Sequence, residues 1–360
     1  LPISALDAIP LAVEHTKQQL FARFRLGQWT RLAFVGLLAG ELGSGGGCNF
    51  PRGLGNGPHG GAGHFPDVSL GPMLLALGAA LAVLVLAGLV VGVILMYVSS
   101  VMRFILFDSV LAKECHIRLG WSRRQGPGMR LFLWKLVVGL ITLAGFAIML
   151  GIPAAFAFSA GWFKAPREHI VPLVLCGILL LFVFAIFTVV VAVVYVLTKD
   201  FVVPQMALED IGAFEGWRRL WNMMVAERTS YVGYIGMKIL MAIGAGIAIG
   251  LVTLIFGLLF AIPAIGLGIL AVITGHSAGL TWNAGTITLA IVVGSILLSV
   301  FFYVVSLISV PAMVFFPAYS MYFFAGRYAP LQAALYAQRA GAEVRAPGWS
   351  TLPPAAEPLG

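Results

Sequence analysis

Cys48, His59, His64 and Asp67 fall within one loop and carry the kinds of donor atom that a zinc ion takes. Their spacing follows no regular zinc pattern, so they are read as loop residues with separate polar roles. The other histidines, His15, His116, His169 and His276, avoid the middle of every apolar run. That placement disfavours a haem or chlorin held by axial histidine. Glu209, Asp210 and Glu215 stand near Arg218 and Arg219 at helical spacing, a pattern that pairs charges rather than supplying an acid and a base. No G-x-S-x-G, H-E-x-x-H or phosphate-loop pattern occurs. The expectation is a non-enzymatic chain with no catalytic residue, no metal and no evident cofactor, bound lipid aside.

The elements that carry these residues are membrane helices. Of 360 residues, 60% are hydrophobic and only 10% are charged, with a mean hydropathy of +1.00. A soluble domain carries about 25% charged residues, so a surface this apolar belongs in lipid. Apolar runs are continuous rather than alternating, which disfavours a barrel. A crossing helix needs about 20 apolar residues. Spans are expected at about 29–42, 70–102, 131–160, 170–198, 236–262 and 286–316. The first is short and bounded by Arg31 and Glu41; an interfacial or re-entrant helix is its rival. Pro263 is read as the end of the fifth span, with 264–274 lying at the interface. Residues 1–28 form an amphipathic arm without the apolar core of a signal peptide. Residues 43–69 form a Gly-rich outer loop, and 317–360 form a tail.

Charge sets the orientation. Nineteen of the 22 Lys and Arg residues fall on one side of this arrangement; only Arg52, Lys164 and Arg167 fall on the other. Cytoplasmic loops carry the basic excess, so six spans with both termini cytoplasmic fit. The net charge of +8 needs no nucleic acid to explain it. Cys48, Cys115 and Cys176 lie far apart and imply no disulfide framework.

The two large basic connections resemble each other. Arg103 stands 18 residues before Trp121, and Lys199 stands 18 before Trp217. Gly120 and Gly216 precede the tryptophans; Arg123 and Arg124, or Arg218 and Arg219, follow. Each copy re-enters through an aromatic and a lysine, Trp134 and Lys135 in one, Tyr231 and Lys238 in the other. The arm ends on a similar plan with Trp29 and Arg31. The expected fold is all-α: an integral membrane bundle of six transmembrane helices built from a repeated helix-pair unit, with amphipathic cytoplasmic helices. Trp29, Arg31, Trp121, Arg123, Arg124, Trp134, Lys135, Trp217, Arg218, Arg219 and Lys238 are the candidates for contact with lipid headgroups.

The stretch VVPQMALEDIGAFEGWRRLWNMM at 202–224, with its weaker copy at 103–124, resembles bacterial multi-pass membrane proteins. These are related to the membrane domain of glycerophosphoryl diester phosphodiesterases and include several uncharacterised six-span families. Pro204, Glu209, Gly216, Trp217 and Arg218 carry the resemblance. It implies a helical membrane fold in a bacterial cytoplasmic membrane. It carries no reaction, because the phosphodiesterase chemistry belongs to a separate soluble domain.

Two functions remain. The loop 43–71 holds 11 glycines and would lose much entropy on ordering. A partner subunit is what would hold it, with Cys48, Asn49, Phe50, Arg52, His59 and His64 as docking candidates. The first reading is therefore a structural or accessory subunit of a larger membrane complex. The alternative is a lipid-handling or transport protein with a path between the repeats, lined by polar groups such as Thr142, Thr188, Ser295, Ser299 and Ser306. Every mid-span lacks an ionisable residue, which disfavours a proton-coupled pump.

Overall fold

The computed structural model describes residues 3–22, 24–41, 70–162, 169–277 and 283–344. The docking candidates Cys48, Asn49, Phe50, Arg52, His59 and His64 lie outside the described residues. What is described is all-α, without a strand. Two short helices, α1 (Ala8–Leu20) and α2 (Leu26–Leu38), come first. The long helices α3 (Leu70–Ala112), α4 (Ile117–Ser159) and α5 (Ile170–Leu197) follow. A π-helical turn, Thr198–Val202, joins α5 to α6 (Val203–Glu209), and α7 (Ala213–Ala226) comes next. The chain ends in α8 (Arg228–Ser277), α9 (Ala284–Ala325) and α10 (Ala329–Val344).

Five stretches are long and apolar enough to cross a membrane: Gly78–Ala112, Ile117–Ser159, Ile170–Glu209, Arg228–Gly275 and Gly285–Ala325. At 1.5 Å per residue, α3 is about 65 Å long, roughly twice the hydrocarbon thickness. Part of it must therefore project beyond the lipid. The packing divides the same way. Residues 78–95 of α3 are exposed around the whole helix, whereas 100–107 are buried around it. The protein core sits at that second end. Its centre is aromatic: the Tyr234 ring lies 4.6 Å from Phe323, 5.0 Å from Phe201 and 5.2 Å from Tyr319.

The amphipathic arm is part of this core. Ala8, Ala12, His15, Thr16 and Gln19 recur at helical spacing and are buried, with α1 packed against α9. The His15 ring meets the Tyr322 hydroxyl at 3.1 Å and the Val110 carbonyl at 2.9 Å. Thr142, Thr188, Ser295, Ser299 and Ser306 each donate to a carbonyl of their own helix, which satisfies them inside an apolar run.

Three boundaries differ from the sequence reading. Helix α8 runs unbroken through Pro263, and residues 264–274 continue it. Without water to take up freed carbonyls, an apolar stretch keeps its helix around a proline. Helix α9 extends past 316 to Ala325 and contributes Tyr319, Phe323 and Phe324 to the core. The stretch 29–42 overlaps α2, whose 13 residues from Leu26 to Leu38 reach about 20 Å and place it outside the five long helices.

Close packing of α3 on α4 turns on Gly128. A Cβ there would meet Val101 Cγ2 at 2.6 Å and Val101 Cα at 3.2 Å. Gly128→Val is expected to cost about 1–3 kcal/mol through overpacking. Gly126 has nothing within 4 Å of such a Cβ, so Gly126→Ala should be neutral or gain up to about 1 kcal/mol. Unfolding of the two variants in detergent, followed by circular dichroism, checks the contrast.

Candidate functional site

The site starts from a helix stop. Gly40 has φ +80°, a left-handed conformation that suits glycine, and it ends α2. The Glu41 amide donates to the Gly36 carbonyl at 2.9 Å and the Gly40 amide donates to Leu37 at 3.1 Å. This doubly bonded Schellman turn fixes the direction in which Glu41 leaves the helix. Its side chain is 1% exposed. One carboxylate oxygen accepts from Arg103 on α3, the other from Lys199 in the π turn. Arg103 also donates to the Ala39 carbonyl at 2.5 Å, capping the end of α2 with a cation. Three segments distant in sequence are thereby tied at one carboxylate.

The π turn has a local cause. Pro204 has no amide hydrogen, and its ring crowds the carbonyl four residues back. Widening the turn relieves that crowding. The turn presents two adjacent charges, Lys199 and Asp200, both buried. Asp200 accepts from the Tyr234 hydroxyl at 2.9 Å and is ion-paired with Lys238 on α8. A space of about 20 Å³ lies between Glu41, Arg103, Lys199, Asp200 and Ser320, room for one water.

Next to this cluster lies a half-open cavity of about 410 Å³ between α3, α4 and α5. Met96, Leu131, Val138, Val191 and Val194 make its walls apolar, with Thr142 among them. Arg103, Lys135 and Lys199 are the charged residues of the lining. Lys135 is half-buried, and its ammonium reaches the Ser99 hydroxyl at 3.5 Å. The volume falls within the range of small-ligand sites, about 300–1,000 Å³.

The residues singled out in the sequence divide between this site and the surface. Trp134 and Lys135 line the cavity. Trp217 lies 6.2 Å from Trp134, and its indole donates to Thr198, another lining residue, at 3.0 Å. Lys238 was expected at the headgroup level; its ammonium is instead buried on Asp200. Arg124 is likewise taken up by protein, at 2.7 and 2.8 Å from Asp108. Trp121 stands edge-on to Tyr97 at 6.3 Å, and Trp29 donates to the Leu20 carbonyl at 3.3 Å. Arg31 and Arg123 are exposed. Arg218 and Arg219 pair with Glu215, and Arg219 also pairs with Glu209. Asp210 pairs with Arg130. Burial and the hydrogen bond to Glu209 push the Tyr328 phenol up.

Residues 3–334 match the model of a family of unknown function, DUF7544. The chain belongs to that family. No curated protein and no solved structure matches it. Membership of the family brings no activity with it, so chemistry must be argued from the site.

Sequence reasoning missed the function of Glu41, Asp200 and Tyr234 within this cluster. Arg103 and Lys199 were visible as the matched starts of the two basic connections, but their common partner was not. Adjacent opposite charges ahead of a proline, Lys199-Asp200 before Pro204, were the available signal.

Removing one partner of a buried charge group strands the rest. Glu41→Gln is expected to cost about 3–5 kcal/mol, because Arg103 and Lys199 lose their shared carboxylate. Glu215→Gln removes a more exposed acid from the pairs on α7 and should cost less than about 1 kcal/mol. Denaturant unfolding in detergent compares the two.

Proposed function

We propose that this chain is a non-enzymatic, multi-pass membrane protein that holds lipid in the cavity between α3, α4 and α5. One observation carries the reading: an apolar-walled space of about 410 Å³ between candidate spans, with Arg103, Lys135 and Lys199 in its lining. Lipid has that division, an apolar chain beside a polar head. Membrane lipids are then both the partners and the bound ligand.

The finer arrangement is also a proposal: six crossings, with the segment 29–42 as a short one, in a bacterial cytoplasmic membrane with both termini inside. It is supported by the nineteen basic residues on one side of the spans and three on the other. The repeat of two basic connections finds support in matching glycines. A Cβ on Gly120 would meet Ile105 at 3.1 Å, and one on Gly216 would meet Val202 at 2.8 Å. Each glycine lets the start of one helix lie close against the end of the preceding span.

A second reading, the accessory subunit, is favoured by the surface of α3. Residues 78–95 are exposed on all faces, a span-length surface open to lipid or to another membrane protein.

Native mass spectrometry of the full chain extracted in mild detergent decides between them. The lipid reading predicts retained phospholipid at about one per chain. Thr142→Trp fills the cavity and is expected to reduce that retention at least about tenfold, as much as one missing methylene contact already costs. A stoichiometric protein partner without retained lipid would replace this reading with the accessory one.

A further inference from the structure

The cavity is unevenly charged, and the imbalance names its ligand. Arg103, Lys135 and Lys199 line it, and among the described residues no carboxylate does. Glu41 is shared by Arg103 and Lys199, and the neighbouring Lys238 has Asp200. Lys135 has no ion pair among the described residues; its ammonium reaches the Ser99 hydroxyl at 3.5 Å. Four cations thus face two carboxylates across Arg103, Lys135, Lys199, Lys238, Glu41 and Asp200. An excess of positive charge beside apolar walls is costly unless an anion comes to it.

The matched connections show where the missing carboxylate would have been. Asp200 stands 17 residues before Trp217, and the position 17 before Trp121 is Phe104. Phe104 is fully buried. The second connection therefore carries a counter-charge for its lysine, Lys238, and the first carries none for Lys135.

We propose that Lys135 recognises the headgroup of an anionic phospholipid, its phosphate meeting the ammonium beside the Ser99 hydroxyl. The acyl chain runs along Val138, Thr142 and Val191. Lysine serves here as a point charge for phosphate, with Arg103 and Lys199 adding a favourable field. The inference rests on the lipid reading above and adds to it the charge of the ligand. Free phosphate shares the headgroup chemistry, so the test separates the two sources.

The full chain, stripped of lipid in detergent, is titrated with phosphatidylglycerol, phosphatidylcholine and inorganic phosphate, and binding is read by native mass spectrometry. Phosphatidylglycerol should bind about tenfold tighter than phosphatidylcholine, whose phosphate is the same but whose choline cation is repelled by Arg103, Lys135 and Lys199. Lys135→Gln should bring phosphatidylglycerol down to the level of phosphatidylcholine, while Lys135→Arg keeps the preference. Arg118→Gln, at an exposed position outside the lining, should leave it unchanged. Lys135→Gln removes an unpaired charge, so its Tm without lipid should match or exceed that of the parent. The rise in Tm on adding phosphatidylglycerol should vanish in this variant. Equal binding of the two lipids by the parent chain, which needs no variant, would overturn the inference while leaving the lipid reading intact. Tight binding of inorganic phosphate through Lys135 without lipid selectivity would overturn it in favour of a free anion. Failure to bind either lipid would remove both readings.

Discussion

One carboxylate, Glu41, joins the end of a 13-residue helix to Arg103 of the long helix α3 and to Lys199 of the π turn that follows α5. Much of the molecule depends on that meeting. Residues 78–95 of α3 are exposed and offer little packing of their own. The buried core lies at the other end, beside the carboxylate, and there the helices are positioned against one another. Bringing three charged groups out of water is expensive, and the cost is offset only because each finds a partner. Glu41 is therefore weak evidence of extra stability and strong evidence of a required geometry.

That geometry shapes the cavity. Arg103 and Lys199 face Glu41 on one side and line the cavity on the other. Releasing either would move a wall of the site. The π turn serves the same end, since it places Lys199 and Asp200 next to each other in the buried region, one toward Glu41 and one toward Lys238. Lys135 stands outside this network of pairs, and so the charge left over falls at the place where a ligand has room.

Much of the fold was legible because apolar length is a local property. The long runs behind α3, α4, α5, α8 and α9 are visible residue by residue. The 18-residue spacing of Arg103 to Trp121 and Lys199 to Trp217 was legible for the same reason. What it meant was not. Glu41 is 62 residues from Arg103 and 158 from Lys199, and no local pattern links them. Lys135 and Lys238 looked alike as lysines at the mouths of spans; only the fold gives one of them an aspartate. Pro263 misled because proline breaks helices where water can take the freed carbonyls, and here the helix continues. The arm of α1 read only as amphipathic, yet its small and polar residues are the ones buried in the core where it packs against α9 and α3.

The most direct measure of the central claim is the coupling between Glu41 and Arg103. A double-mutant cycle with Glu41→Gln, Arg103→Gln and the pair, read as unfolding free energy in detergent, isolates it. The account predicts a coupling of at least about 1.5 kcal/mol, within the range for contacting charged groups. Additivity within about 0.5 kcal/mol would contradict it, since the two side chains would then act independently.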